Sequence, residues 1–316
     1  HGVSDADLAA LPGAIVFPAR GPAAGSALEA IAELRAIYCG SLGYDFDHVQ
    51  DFAQRAWLIE AVESGAYRQP LTSSRLSGLL ERLTQVEEFE HFLHTTYQGQ
   101  KRFSIEGLDM LVPMLDALLH ETATAGTREV LIGMSHRGRL NVLAHILEKP
   151  FASIFAEFHA SPNKELVPSE GSTGINHGWT GDVKYHLGAR ADLQEGDRGR
   201  LRVTLAHNPS HLEFVDPVVE GFARAAQDAR GAPGAPLQEV SRALAVQIHG
   251  DAAFPGEGIV AETLNLSRLT GYATGGTIHL IGNNQIGFTT GAAEGRSTLY
   301  ASDLAKGFEI PIIHVN

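Results

Sequence analysis

The sequence predicts an α/β chain, with a mainly helical region over residues 1–125 followed by a domain built on a mostly parallel sheet over residues 126–316. Three observations carry this. Apolar residues in the first part recur every three or four positions, the period of a helix with one buried face. After Gly126, short β-branched runs alternate with helical patterns, as in a parallel sheet covered by helices. With 316 residues, 44% hydrophobic and only 19% charged, the chain can bury the core that such a fold needs.

In the helical region Leu28, Ile31, Leu34 and Ile37 define one apolar stripe, and Phe52, Ala56, Leu58, Ile59 and Val62 a second. No strand pattern interrupts them. Ser104, ahead of Glu106 and Gly107, has the chemistry of a helix cap. Leu108, Leu111, Val112, Leu115, Leu118 and Leu119 then fall on one face until Gly126 stops the helix. Strands are predicted over 129–132, 201–205, 243–248, 277–281 and 310–315, with helices near 140–147, 214–228 and 259–269. Two stretches have no apolar period. Residues 162–188 hold Gly171, Gly174, Gly178, Gly181 and Gly188, a loop long enough to suggest a functional role. Residues 227–236, QDARGAPGAP, read as a turn-rich surface connection.

Composition narrows the function. Lys and Arg number 24 against 37 Asp and Glu, a net charge of -13, so the broad basic surface that grips a nucleic-acid backbone is missing. Cys39 is the single cysteine, which excludes an internal disulfide and a cysteine-based zinc site and suits a reducing, cytoplasmic setting. No run approaches the ~18 consecutive apolar residues of a membrane span. The first residues, HGVSDADLAALPG, lack the basic-then-apolar order of a secretory signal. The chain starts without Met and stops on the strand-like run Ile312 to Asn316, which leads us to expect a fragment of a longer protein.

The segment from Val246 to Gly258, VQIHGDAAFPGEG, concentrates the chemistry. An apolar strand delivers Asp251 at its carboxyl end, glycines let the chain turn tightly, and a helix begins near Ile259. Ligands of open α/β sheets sit beyond the carboxyl ends of strands. Further on, a second strand ends in Gly282-Asn283-Asn284-Gln285-Ile286. A carboxylate, an amide oxygen and a backbone carbonyl are hard ligands suited to magnesium, which completes its octahedral shell with water and phosphate oxygens. Each dipeptide alone is a common turn, with Asp251 capping the next helix and Asn283-Asn284 turning the chain. Their pairing at two strand ends favours a metal-diphosphate cradle.

Asp251 followed by Asn284 is similar to the thiamine diphosphate motif, Gly-Asp-Gly then a spacer then Asn, with Ala252 in place of the second glycine. The words GMSHRGRLNVLAHIL, GDVKYHLGA, NPSHLEFVDPVVEG, IHGDAAFPGEGIVAETLNLS and GGTIHLIGNNQIGFTT resemble the thiamine diphosphate-dependent 2-oxoglutarate dehydrogenase component family. Its members are the decarboxylases of the 2-oxoglutarate dehydrogenase complex. IYCGSLGYDF and GQKRFSIEG extend the likeness upstream to about Tyr38.

The resemblance implies a diphosphate-half domain in which Asp251, Asn284 and the Ile286 carbonyl bind Mg2+, while Gly250, Ala252 and Ala253 bring backbone N–H groups to the diphosphate of thiamine diphosphate. It implies oxidative decarboxylation of 2-oxoglutarate and transfer of the succinyl group to the lipoyl domain of a dihydrolipoyl succinyltransferase. A homodimer is implied too, with the pyrimidine-binding half and its activating glutamate supplied by sequence outside this chain. His136 and His186 match the catalytic histidines near the substrate. Arg137, Ser210 and His211 become substrate-binding candidates. A 2-oxoadipate dehydrogenase component shares most of these words, and a magnesium-diphosphate module without catalysis is the alternative from another class.

The residue chemistry is compatible with this. A 2-oxo diacid brings two carboxylates, to which imidazoles donate hydrogen bonds or positive charge, and Arg137 and Arg139 add charge nearby. Taken alone, His136 would be a satisfied histidine at a helix start and His186 an exposed loop residue. Ser210-His211 invites a hydrolase reading, but adjacent side chains point apart. GMSHRG misses the nucleophile-elbow spacing. Glu90, His91 and His94 lack the His-Glu-x-x-His order of a zinc helix, so a solvated face is expected there. His120, His145 and His159 are expected to be structural.

Overall fold

The computed structural model describes residues 2–68, 70–105, 107–158, 184–194 and 199–316. Four glycines of the long loop (Gly171, Gly174, Gly178 and Gly181) and His159 lie outside the described residues. The helices are α1 Asp5–Ala10, α2 Ala27–Tyr38, α3 Phe52–Glu63, α4 Ser73–Thr96, α5 Leu111–Thr124, α6 Arg139–Asn141, α7 Phe151–Phe158, α8 Asp216–Gln227, α9 Ala253–Gly256 and α10 Gly258–Leu266. The strands are β1 Leu42–Asp45, β2 Glu129–Met134, β3 Ala189–Gln194, β4 Arg200–Leu205, β5 Asp228–Ala229, β6 Leu237–Gln238, β7 Ala243–Gly250, β8 Thr277–Gly282 and β9 Ile312–Val315. Among the described residues no helix is long and apolar enough to cross a membrane.

The chain divides into two compact units, His1–Thr72 with Ser302–Asn316, and Ser73–Ala301. In the first, Ser26 and Glu29 form a capping box that starts α2, and Ala27, Ala30 and Ile37 are its buried positions. The expected second stripe differs. Asp51 caps α3 by accepting from the Gln54 amide, yet no α3 residue is buried and Phe52 is 76% exposed. The terminal strand also departs from expectation. Instead of extending the parallel sheet, β9 pairs antiparallel with β1. Four residues containing a glycine are too few for β1 to show a two-residue period, so no strand pattern marks it.

The second unit holds a five-stranded sheet of order β3-β4-β2-β7-β8. Strands β4, β2, β7 and β8 run parallel, as predicted, and β3 is an antiparallel edge strand. Its residues ARADLQ alternate between half-buried and exposed, so no apolar run marks them. Central strand β2 is buried on both faces. Val130, Ile132 and Met134 pack into a cluster with α4 and α5, while Leu131 packs with Val215, Val219 and Ala223 of the α8 side. The helix expected at 140–147 is one α turn followed by a π-helical stretch, Val142–Ile146. The 227–236 connection is closed by the small β5–β6 hairpin.

Ser104 does not cap a helix. Helix α5 begins only at Leu111, and Ser104 is buried in a non-helical segment. The cause lies in α4, where the buried Glu90 carboxylate accepts the Ile105 amide at 2.9 Å and the Asn141 side chain at 2.7 Å. A backbone amide held by a distant side chain cannot enter a helical ladder. His91 and His94, on the same helix, are exposed as expected.

Candidate active site

Strand direction gathers the predicted residues. Because β2, β4, β7 and β8 are parallel, His136, Ser210, His211, Asp251 and Asn284 all follow the carboxyl ends of strands at one edge of the sheet. Strand β3 runs the other way, and its first residue, Ala189, lies opposite Leu205 at the end of β4. His186, just before β3, therefore reaches the same edge. From β2 the chain moves to β4 on one side and then to β7 on the other. The crevice beside that reversal is where open α/β sheets bind ligands.

At the end of β7, Asp251 is only 3% exposed. Its Oδ2 accepts from Arg296 Nη1 at 3.1 Å, whereas its buried Oδ1 has no hydrogen-bond partner among the described residues. Asp251 does not cap the next helix, since α9 has Ala252 at its N-cap and no side-chain cap bond. Asn284 does make the turn its type favours, its Oδ1 accepting from the Ile286 amide at 3.2 Å. That oxygen keeps a second lone pair for another partner. The following loop closes on the end of β7, where a Cβ added at Gly287 would stand 2.9 Å from the Ala252 Cβ. A buried carboxylate oxygen without a partner is costly. A hard divalent cation would relieve that cost, and a carboxylate with a neighbouring loop that carries an amide oxygen is donor chemistry of the kind magnesium takes.

Along the edge, His136 and His186 come together beside several cations. Burial first, then the charges of Arg137, His186, Lys101 and Arg139, push the His136 imidazole down to about 4. At neutral pH it is therefore an uncharged ring, able to donate from one nitrogen and accept at the other. Phe103 lies against it, with ring centroids 3.8 Å apart, and Lys101 Nζ stands 5.3 Å from the Phe103 ring. The Tyr185 hydroxyl donates to the Lys101 carbonyl at 2.6 Å, and His186 Nδ1 is buried without a hydrogen-bond partner among the described residues. Phe103 has φ +47°, a left-handed conformation that a phenylalanine rarely adopts and that its neighbours must hold in place.

The two arginines of SHRGR have different tasks. Arg137 Nη1 donates to the Ser104 carbonyl at 2.9 Å and remains part-exposed. Arg139 is fully buried and donates to the carbonyls of Met134 and Leu187, each at 2.8 Å, and of Ala206. It thus ties together the end of β2, the entry to β3 and the exit of β4. Gly188 permits the same convergence, because a Cβ there would lie 2.2 Å from the Leu205 carbonyl oxygen. Ser210 and His211 are exposed. His211 faces Glu257 at 3.9 Å and the Phe214 ring at 4.6 Å, so it does not form a hydroxyl-imidazole pair with its neighbour.

Sequence reasoning missed a buried polar cluster behind the cradle. His249 Nδ1 is 2.5 Å from Glu213 Oε2 and 3.7 Å from Asp216 Oδ2, and His249 Nε2 is 2.9 Å from His279 Nδ1. Burial, reinforced by Glu213, pushes Asp216 up to about 9, which keeps a proton in the cluster. The signal available was two acids and a histidine inside the words NPSHLEFVDPVVEG and IHGDAA. Lys101, Phe103 and Arg296 were also overlooked, since none belongs to a spaced motif, and Glu90, expected on a solvated face with His91 and His94, is buried.

Over all 316 residues the chain is 58% identical to the 2-oxoglutarate dehydrogenase E1 components of Bacillus pumilus (strain SAFR-032) and Bacillus subtilis (strain 168), covering 34% of each. Over 314 residues, 99% of the chain, it is 56% identical to that of Geobacillus sp. (strain WCH70), covering 33% of it. The chain thus spans about a third of the length of the curated relatives it matches. Residues 106–316 match the family described as the dehydrogenase E1 component, and the chain belongs to that family.

Proposed function

We propose that this chain forms the diphosphate-binding part of a thiamine diphosphate-dependent decarboxylase acting on 2-oxoglutarate, with the grip placed within residues 126–316. The observation that carries this is the buried Oδ1 of Asp251, without a hydrogen-bond partner among the described residues, beside the loop that bears Asn284 and Ile286. Asp251, Asn284 and the Ile286 carbonyl would hold Mg2+, and the backbone amides of Gly250, Ala252 and Ala253 would face the diphosphate. When bound, the cofactor supplies the electron sink that lets a 2-oxo acid lose carbon dioxide.

The remaining work belongs to side chains. His136 and His186 orient the substrate, and the neutral ring of His136 can donate or accept a single proton at a ring nitrogen. Charge complementary to a carboxylate comes from Arg137 and Lys101, and Ser210 and His211 line the outer wall. We further propose the lipoyl domain of a dihydrolipoyl succinyltransferase as acceptor of the succinyl group, a homodimeric full-length protein and a cytoplasmic setting. The exposed thiol of Cys39 suits reducing surroundings.

The decisive experiment is calorimetric titration of the full-length protein with thiamine diphosphate and Mg2+. Asp251→Ala is expected to abolish magnesium-dependent binding, because it removes the one carboxylate of the cradle. Unchanged affinity would overturn the assignment. A substrate panel separates 2-oxoglutarate from 2-oxoadipate, whose extra methylene is worth only ~1–3 kcal/mol in a pocket.

A further inference from the structure

Arg296 lies outside every motif considered above, in the loop that follows β8. That loop leaves the sheet at Gly282, turns at Asn284, and takes left-handed backbone at two non-glycine positions, Gln285 (φ +60°) and Phe288 (φ +56°). It offers little to the core, since Phe288 is 95% exposed and Ile286 50%. Burial therefore does not hold it down. Two features bring it onto the end of β7. Gly287 lies against the Ala252 methyl group, and Arg296 Nη1 donates to Asp251 Oδ2 at 3.1 Å. Both partners of this ion pair are sheltered, with side chains 14% and 4% exposed, so solvent screens it less than a surface pair.

The bond has a direction that matters. Arg296 occupies Oδ2 and leaves Oδ1 of the same carboxylate buried and, among the described residues, unpartnered. A guanidinium on one oxygen fixes the rotation of the carboxylate and hence the position of the other. The same bond pins the far end of the loop whose near end carries Asn284 and Ile286. We propose that Arg296 is a positioning residue that latches this loop onto Asp251 before any cation arrives, presetting the three oxygen ligands. The proposal rests on the cradle reading above. Its physical content is preorganisation: a loop already ordered loses less conformational freedom when the ligand binds.

The test uses the full-length protein with Arg296→Met, Arg296→Lys and Asp251→Ala. Hydrogen exchange is measured first, without magnesium or thiamine diphosphate. Arg296→Met is expected to speed exchange across residues 285–296 by about tenfold, the scale of one charge-assisted hydrogen bond, while amides of β2 and β7 keep their protection. Arg296→Lys should restore part of the protection. Magnesium is then titrated at fixed thiamine diphosphate by calorimetry, where Arg296→Met should weaken the apparent affinity by roughly the same factor.

Exchange that stays unchanged in the loop, or rises equally throughout the sheet, overturns the proposal. So does a magnesium affinity that is unchanged or that tightens, the latter making Arg296 a competitor of the cation. Asp251→Ala separates the two ideas. If it leaves magnesium-dependent binding intact, the cradle reading fails, whereas the exchange measured without cofactor judges the latch on its own.

Discussion

Replacing Arg139 by Met should be among the most damaging single changes in the sheet unit. The guanidinium is fully buried and serves the carbonyls of Met134, Leu187 and Ala206, so the apolar side chain leaves three acceptors at the carboxyl edge without their donor. A hydrogen bond to a charged group contributes about 1.5–3 kcal/mol, a gross loss of roughly 4.5–9 kcal/mol for three. Against this, Met avoids the desolvation cost of a buried cation and fills much of the same space. Loosening of the edge also lets water reach some carbonyls. The net loss should be about 3–5 kcal/mol, which lowers the melting temperature of a unit of this size by roughly 6–20 °C. Scanning calorimetry of the full-length protein measures it, with hydrogen exchange assigning the transition to the sheet. Arg139→Lys should fall between, since an ammonium cannot reproduce the planar fork. A shift below about 2 °C for the Met variant would refute the stapling role.

Three other outcomes follow from the geometry. Replacing His136 by Leu should lower kcat/KM for 2-oxoglutarate by roughly 10- to 100-fold, and less for a 2-oxo acid with an uncharged tail; with the imidazole pushed down to about 4, the activity profile should show no titration of this residue between about pH 6 and 8. His145, held down to about 4 chiefly by burial, binds its proton more weakly in the folded than in the unfolded chain. Its contribution is complete above about pH 6.5 and lost as pH falls toward 4, so the difference in melting temperature between the wild type and His145→Gln should drift against the wild type across that window. Gly287→Ala should weaken thiamine diphosphate binding without unfolding the sheet, because the new methyl meets the Ala252 Cβ at 2.9 Å, and adding Ala252→Gly should restore it; a double variant no better than the single one would show that this contact does not govern the loop.

Much of the sheet was legible because its parallel strands are buried and apolar, and a buried strand must show its character in its residues. Strands β2 and β7 are of this kind, β4 is buried at alternate positions, and β8, which has no buried residue, shows itself only by the apolar Ile278, Leu280 and Ile281. β3 and β1 were invisible for the opposite reason, the one an alternating edge strand rich in polar residues, the other four residues long. Asp251 and Asn284 were legible because a strand end followed by an oxygen-bearing turn is written in consecutive residues. The false helix cap at Ser104 and the missed roles of Glu90 and Arg296 share another cause. Each depends on a contact across many residues, Glu90 to Ile105 and Asn141, Arg296 to Asp251, and local spacing carries no trace of such a contact.

The two sheltered arginines, Arg139 and Arg296, use their charge in different ways. Arg139 directs its guanidinium wholly at backbone carbonyls, so its positive charge is spent on architecture and it brings the approaches to His136 and His186 together. Because the carbonyls it holds carry only partial negative charge, they do not neutralise it, and its field still contributes to keeping His136 unprotonated. Arg296 instead faces a full carboxylate and is compensated by it. The positive charges that act on His136 are therefore those of Arg137, Lys101 and Arg139, whereas that of Arg296 is set against the Asp251 carboxylate. Solvent screens exposed charges beyond about 10 Å, so a net charge of -13 spread over the chain acts weakly on groups sheltered like these.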